Sequence, residues 1–261
     1  MSHDEVIQVR EESTVLHITL NRPEQYNAMN AALLQGLPTI LEQASNPRIR
    51  AVTIMGAGHA FCSGGDIAQF AGFIASQKVP RDMPENLHLA IRKIRALPKP
   101  VIALINGACA GAGFSLSLAC DYSLATASAK FSLAYSGIGL APDGGSTYFL
   151  PRILGFKQAM SLFLGGKALS AEEALQAGLV SEICADAEFA NRSHELLARL
   201  ANGPTAAYAK AKALVNQSYG NSLDKQLDLE TDAICDSGFS PDFREGIMSF
   251  VEKRKPVFKG K

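Results

Sequence analysis

Gly107, Gly111 and Gly113 lie inside VIALINGACAGAGFSLSLAC (Val101–Cys120), twenty residues without a charge. The segment reads as a buried strand at Val101–Ile105, a glycine-rich turn at Asn106–Gly113, and a helix starting in Phe114–Cys120. A strand that turns through glycines into a helix aims unpaired backbone N–H groups at one point, where the helix dipole adds positive potential. That point can hold a phosphate, a carboxylate or a developing oxyanion. Taken alone, the glycines also fit plain tight turns. The run is long enough for a membrane span, but Pro100, Asn106, the glycines, Ser115 and Ser117 interrupt it. GACAG (Gly107–Gly111) fits GxxxG, a pattern with meaning only inside a span.

Two further turns carry glycines. One is FCSGGDI (Phe61–Ile67). The other is Gly137–Gly145, where Pro142-Asp143-Gly144-Gly145 is a turn signal that also holds a carboxyl group. Other site types find no support. His3, His17, His59, His88 and His194 show no metal spacing and no HExxH, so no metal site is expected. There is no GxSxG, Walker A motif or strand-linked GxGxxG. His17 sits within a strand pattern and reads as structural.

These turns need elements to hold them. Val6–Arg10 and Val15–Leu20 alternate as strands, and the break at Glu12-Ser13-Thr14 suggests a hairpin. Asn30–Gln43 reads as a helix capped by Asn30, with Pro38 a possible kink. Ala51–Met55 is a buried strand, and Asp82–Leu97 a helix stopped by Pro98 and Pro100. Ala68–Pro84 has no clear period and is a candidate lid. Tyr122–Ala125 and Lys130–Leu133 read as short strands; Thr147–Leu154, Lys157–Leu164 and Ala171–Ala177 read as helices, the last capped by Ser170. Strands alternating with helices predict an α/β fold with a mostly parallel sheet. From about Phe189 the pattern is wholly helical, over Asn191–Leu200, Thr205–Ser218, Leu223–Cys235 and Asp242–Glu252. Such a tail often packs against another subunit.

The 261 residues are 47% hydrophobic and 19% charged, enough for one large domain or a domain with an appendage. Lys and Arg number 25, as do Asp and Glu, so the formal net charge is zero and nothing suggests nucleic acid or an anionic membrane surface. Cys62, Cys109, Cys120, Cys184 and Cys235 are widely spaced, form no CxxC, and read as small buried hydrophobes in a reducing compartment. MSHDEVIQVREE at the N-terminus resembles neither a secretory signal nor a transit peptide, so a cytoplasmic location is expected.

Five motifs then fall in order over residues 5 to 258: NRPEQYNAM (Asn21–Met29), FCSGGDI (Phe61–Ile67), NGACAGAGFSLSLACDY (Asn106–Tyr122), PDGGSTYFLPR (Pro142–Arg152) and FREGIMSFVEKRKPVF (Phe243–Phe258). Together they resemble the enoyl-CoA hydratase/isomerase family, the crotonases. The resemblance implies a spiral core of ββα turns holding the acyl-CoA site (residues 1–195). It also implies a helical C-terminal trimerisation region (196–261), with trimers that often pair as hexamers. It implies an acyl-CoA thioester substrate, with coenzyme A part of the substrate and no separate cofactor. By position, the thioester oxygen would sit between the backbone N–H groups of Gly65 and Ala112. The chemistry agrees: such donors need close approach by small residues, and an enolate oxygen gains more from them than the ground-state carbonyl does.

The side chains depart from the hydratase pattern. Hydratases of the family commonly use two carboxylates, and those positions correspond here to Ser115 and Tyr135. A tyrosine titrates near 10 (about) and is a poor general base at neutral pH. Asp143 instead matches the position where isomerases of the family, and dehalogenases related to them, carry a catalytic Asp or Glu. An isomerase needs only one base, which moves a proton from one carbon to another. Apolar neighbours Ile138, Leu140 and Ala141 are expected to raise the pKa of Asp143 towards the useful range, and Ser115 and Tyr135 to shape or hydrogen-bond the acyl pocket. Within the family the likeness is to the ring-1,2-epoxyphenylacetyl-CoA isomerase branch, on AGAG without a following Glu, GLAPDGGS and the DFREG ending, although the turn is shorter than the PDCGGT-type pattern. For coenzyme A, the resemblance assigns Arg22 to phosphate and the backbone near Ala28, Asp66 and Ile67 to adenine and pantetheine. It assigns Phe250 and Lys253 to the nucleotide of a neighbouring subunit. The expected function is thus double-bond isomerisation on a CoA ester. The alternatives are hydration using Asp143 or a bound water, thioester hydrolysis or dehalogenation, and an idle acyl-CoA binder.

Overall fold

Val15, Leu16, Ile18 and Leu20 give β2 (Val15–Leu20) a run of buried side chains. The strand therefore lies inside a sheet, with β1 (Ile7–Glu12) as its exposed edge partner. The two form the expected antiparallel hairpin, Ile7 opposite Leu20 and Glu12 opposite Val15. The computed structural model describes residues 6–74 and 77–261. After α1 (Ala31–Gln43), whose Asn30 cap accepts the Leu33 N–H at 3.0 Å, the chain repeats one unit three times. In each unit a longer strand joins a six-stranded sheet, a short strand joins a second sheet, and helix follows.

The first unit is β3 (Ala51–Gly56), β4 (Ala60–Cys62), α2 (Ile67–Ala71) and α3 (Asp82–Ala96). The second is β5 (Val101–Ile105), β6 (Ala108–Ala110) and α4 (Ala112–Ala119). The third is β7 (Tyr122–Thr126), β8 (Lys130–Ser132), α5 (Ser146–Leu154) and α6 (Phe156–Gly165). β9 (Leu169–Ser170), α7 (Ala171–Gln176) and β10 (Glu182–Cys184) close the core. The large sheet runs β1-β2-β3-β5-β7-β10 and is parallel beyond the hairpin; the small one runs β4-β6-β8-β9. This is the ββα spiral expected from the sequence motifs.

Several boundaries differ from expectation. The turn Asn106–Gly113 contains β6, and α4 starts two residues early, at Ala112 rather than Phe114. α1 runs on through Pro38, which is buried and leaves the Leu34 carbonyl without its helical donor. The candidate lid holds part of α2, and residues 75 and 76 of that segment lie outside the described residues. The apolar run Val101–Cys120 is divided among β5, β6 and α4. No helix among the described residues is long and apolar enough to cross a membrane.

The main core lies on the face of the large sheet shared with the small sheet and α1, α3 and α4. A smaller core on the other face is covered by α8 (Phe189–Ala201), through Leu196, Leu197 and Ala201 against Val15, Ile102 and Leu124. Residue 195, the expected end of the α/β core, thus falls within a helix that packs on the sheet. Three helices follow, α9 (Thr205–Ser218), α10 (Leu223–Ser237) and α11 (Pro241–Val251). Lys212 on α9 is tied to the core by bonds to Asp121 Oδ2 (2.7 Å) and the Ile94 carbonyl (2.6 Å).

Candidate active site

Two short strands of the small sheet deliver the glycine turns side by side. β4 runs into Ser63-Gly64-Gly65, and β6 runs into Gly111 and α4. Gly64 adopts φ +102°, which favours glycine, and a Cβ there would lie 3.2 Å from the Ala110 carbonyl of the neighbouring turn. Met29 pairs with Gly65 as a parallel bridge: its N–H donates to Gly64 O (2.7 Å) and its carbonyl accepts from Asp66 N–H (3.1 Å). That pattern leaves the Gly65 N–H unused. Ala112 is the first residue of α4, whose start no side chain caps. Among the described residues, neither the Gly65 nor the Ala112 N–H donates to another protein group. Both residues line one cavity of about 550 Å³.

The walls of this cavity are mostly apolar, including Met29, Leu34, Met83, Leu87, Leu133 and Leu140. Asp143 lines it too, on the loop before α5. Its backbone carbonyl accepts from Ser115 Oγ and Ser146 Oγ, each at 3.0 Å, and its Oδ1 accepts from Tyr135 Oη at 2.8 Å. Tyr135 Oη also lies 3.0 Å from Ser115 Oγ. The expected residues 115, 135 and 143 therefore form one connected group. Burial, then the adjacent Asp143 charge, push the Tyr135 phenol far above its ordinary range. It keeps its proton and acts as a donor. The apolar enclosure expected around Asp143 is incomplete, because Ile138 and Ala141 are exposed and Asp143 is half-buried.

The residues assigned to coenzyme A divide. Ile67 lines the cavity and is exposed. Arg22, expected to meet phosphate, is instead turned inward: it donates to Asp66 Oδ2 at 2.7 Å and to the Ala28 carbonyl. Its side chain and that of Asp66 are 11% and 12% exposed. Burial raises the Asp66 pKa, but the hydrogen bond and charge of Arg22 outweigh this and hold the carboxyl below its usual range. Arg22, Ala28 and Asp66 thus brace the loop bearing Gly65. Phe250 and Lys253 are exposed and lie outside the cavity.

Two supporting residues had no role in the sequence reading. Asn27 is fully buried, and its Nδ2 donates to the carbonyls of Ala57 (2.9 Å) and Ala60 (2.7 Å), holding β4 in place. Its signal was a position inside NRPEQYNAM. His88 on α3 accepts the Gly144 N–H at Nε2 (3.4 Å), one residue from Asp143. Helical periodicity carries no hint of that contact. His17 is structural, with Nδ1 3.1 Å from Thr53 Oγ1. Cys62, beside the glycine turn, is pushed up to about 12 by burial, as is Cys120, and neither can serve as a thiolate near neutral pH. Among the described residues no three His, Cys, Asp or Glu side chains cluster as metal ligands.

Two backbone N–H groups without a protein acceptor and one carboxylate thus line the same mostly apolar cavity. In comparison with known proteins, the profile of the enoyl-CoA hydratase/isomerase family matches residues 10–261. The chain belongs to the enoyl-CoA hydratase/isomerase family. It is 41% identical over 244 residues to a Rhodobacter capsulatus protein named "Probable enoyl-CoA hydratase", with 94% of each chain covered. It is 38% identical to the 1,2-epoxyphenylacetyl-CoA isomerase of Escherichia coli K12, over 96% of this chain and 97% of the other. The crystal structure of an enoyl-CoA hydratase from Polaromonas sp. JS666 superposes with a TM-score of 0.91 at 35% identity, over 97% and 99% of the two chains. A family enzyme acting on CoA esters follows.

Proposed function

We propose that this chain is a CoA-ester double-bond isomerase. The thioester oxygen is held by the N–H groups of Gly65 and Ala112. The Asp143 carboxylate takes a proton from one carbon of the acyl chain. The C–H electron pair moves through the chain to the thioester oxygen, giving a dienolate and a neutral Asp143. The acid then returns the same proton to the other end of the conjugated system, and the dienolate electrons form the new C–H bond. Nothing is consumed, and the chemistry needs no cofactor beyond the coenzyme A that the substrate carries. Preorganised backbone donors act most strongly on charge that develops in the reaction, which is the condition for rate acceleration.

The observation that carries this reading is one apolar cavity walled by a carboxylate, two unpartnered N–H groups and the Tyr135 hydroxyl, with Ser115 hydrogen-bonded behind Tyr135. Hydratases of the family commonly use two carboxylates, and burial keeps the Tyr135 phenol protonated, which makes it a poor second base. The name of the Escherichia coli relative adds support. The names of the Rhodobacter relative and the Polaromonas structure favour a second reading, enoyl-CoA hydration.

Product analysis separates the two. With a 3-enoyl-CoA, the enzyme is expected to raise the absorbance of the conjugated 2-enoyl thioester, and Asp143→Asn to abolish this while leaving fold and ester binding intact. Formation of 3-hydroxyacyl-CoA from a 2-enoyl-CoA, or full turnover by the variant, would overturn the isomerase assignment. We place coenzyme A along the braced loops at Ala28, Asp66 and Ile67, with Phe250 and Lys253 reaching the nucleotide of a neighbouring subunit in a homotrimer or hexamer. A cytoplasmic enzyme is consistent with five free thiols.

A further inference from the structure

Asp143 has two carboxylate oxygens in unequal surroundings. Oδ1 accepts from Tyr135 Oη at 2.8 Å, whereas Oδ2 has no protein donor among the described residues. Behind Tyr135 stands Ser115, fully buried on α4, with its single proton within reach of Tyr135 Oη (3.0 Å), the Asp143 carbonyl (3.0 Å) and the Gly111 carbonyl (3.3 Å). When Tyr135 donates to the carboxylate, its oxygen is free to accept from Ser115, and the two hydroxyls form a directed chain. α4 also supplies the Ala112 N–H. One rigid element therefore sets both the donor that meets the thioester oxygen and the brace behind the acid.

We propose that Tyr135, backed by Ser115, is a positioning residue that occupies Oδ1 of Asp143 and leaves Oδ2 as the one atom that carries the proton. The proposal rests on the reading of Asp143 as the base and adds a stereochemical consequence. A carboxylate pinned at one oxygen cannot rotate freely, so removal and return of the proton use the same atom on the same face of the acyl chain. The proton then stays within the cavity between the two steps. Other titratable groups near Asp143 are few. From α3, His88 faces the Gly144 amide, while Glu85 and Arg92 are exposed; α4 and α5 present the neutral hydroxyls of Ser115 and Ser146.

The test compares wild type, Tyr135→Phe, Ser115→Ala and Asp143→Asn on a 3-enoyl-CoA deuterated at C2. In the wild type, deuterium is expected at C4 of the product. In Tyr135→Phe, kcat is expected to fall roughly 10- to 100-fold with KM nearly unchanged, because a misaligned reactive group costs about that much. Deuterium retention is expected to drop. Ser115→Ala should move kcat and deuterium retention in the same direction by less, with KM again nearly unchanged, and it carries the test should Tyr135→Phe not fold. Wild-type kcat and deuterium retention in the Tyr135 or the Ser115 variant, with Asp143→Asn inert, would overturn the positioning role alone. An active Asp143→Asn would overturn the base assignment beneath it.

Discussion

A backbone N–H cannot be removed by trimming a side chain, but Ala112 offers another route. It is the first helical residue of α4, the position where proline is best tolerated because its missing N–H has no intrahelical acceptor. Ala112→Pro is therefore expected to fold and to lose about 10²- to 10³-fold in kcat, the typical loss for one oxyanion donor. Thermal unfolding together with steady-state kinetics checks this; a folded variant with wild-type kcat would remove Ala112 from the cradle. Much of this scale was legible in the sequence. Gly65, Ala112, Tyr135 and Asp143, all named from the family pattern, line one cavity, and Ser115 is hydrogen-bonded to Tyr135 and to the Asp143 carbonyl behind it. The direction of each hydrogen bond was not, because Tyr135 and Asp143 meet through loop geometry eight residues apart and Ser115 reaches them from another element.

At the level of elements, the loop Asn21–Met29 works as a brace. Its Arg22 guanidinium joins the Ala28 carbonyl to Asp66, and its Met29 pairs with Gly65. The family resemblance assigned Arg22 to phosphate; only the fold reveals the carboxylate 44 positions away that pairs with it. Arg22→Ala is expected to cost about 2 kcal/mol, between the small value of an exposed pair and the larger one of a buried pair. The Asp66 pKa is depressed in the folded state. The stability from this pair is thus present above the unfolded carboxylate pKa, about 4, and is lost as pH falls through the lower folded value. Urea unfolding of wild type and variant at pH 7 and pH 3 measures this, and the gap between them should narrow at pH 3. A gap that stays constant would mean that the pair is not ionic. The long elements were readable from periodicity and caps. β4, β6, β9 and β10 were not, because two or three residues hold no period and their pairing partners are distant in sequence.

For the whole molecule, the apolar surface of the C-terminal helices sets the expectation. Ile234 is 73% exposed, Phe239 92% and Phe250 85%, more than a lone chain normally leaves open to water. Sedimentation velocity is expected to give a species of three or six 27.8 kDa chains, and a monomer at micromolar concentration would contradict that assembly. The helical tail was legible as helix from its periodicity, while the expectation that it meets other subunits came from the family resemblance, since contact between chains has no signature in one chain's periodicity. What the cavity holds decides the chemistry, and a crystal structure with an unreactive acyl-CoA analogue would show it. The thioester oxygen is expected within about 3.1 Å of both Gly65 N and Ala112 N. Asp143 Oδ2 is expected within roughly 3.5 Å of the carbons that exchange the proton. A thioester oxygen bound elsewhere, or an Asp143 carboxylate turned away from the acyl chain, would contradict this chemistry.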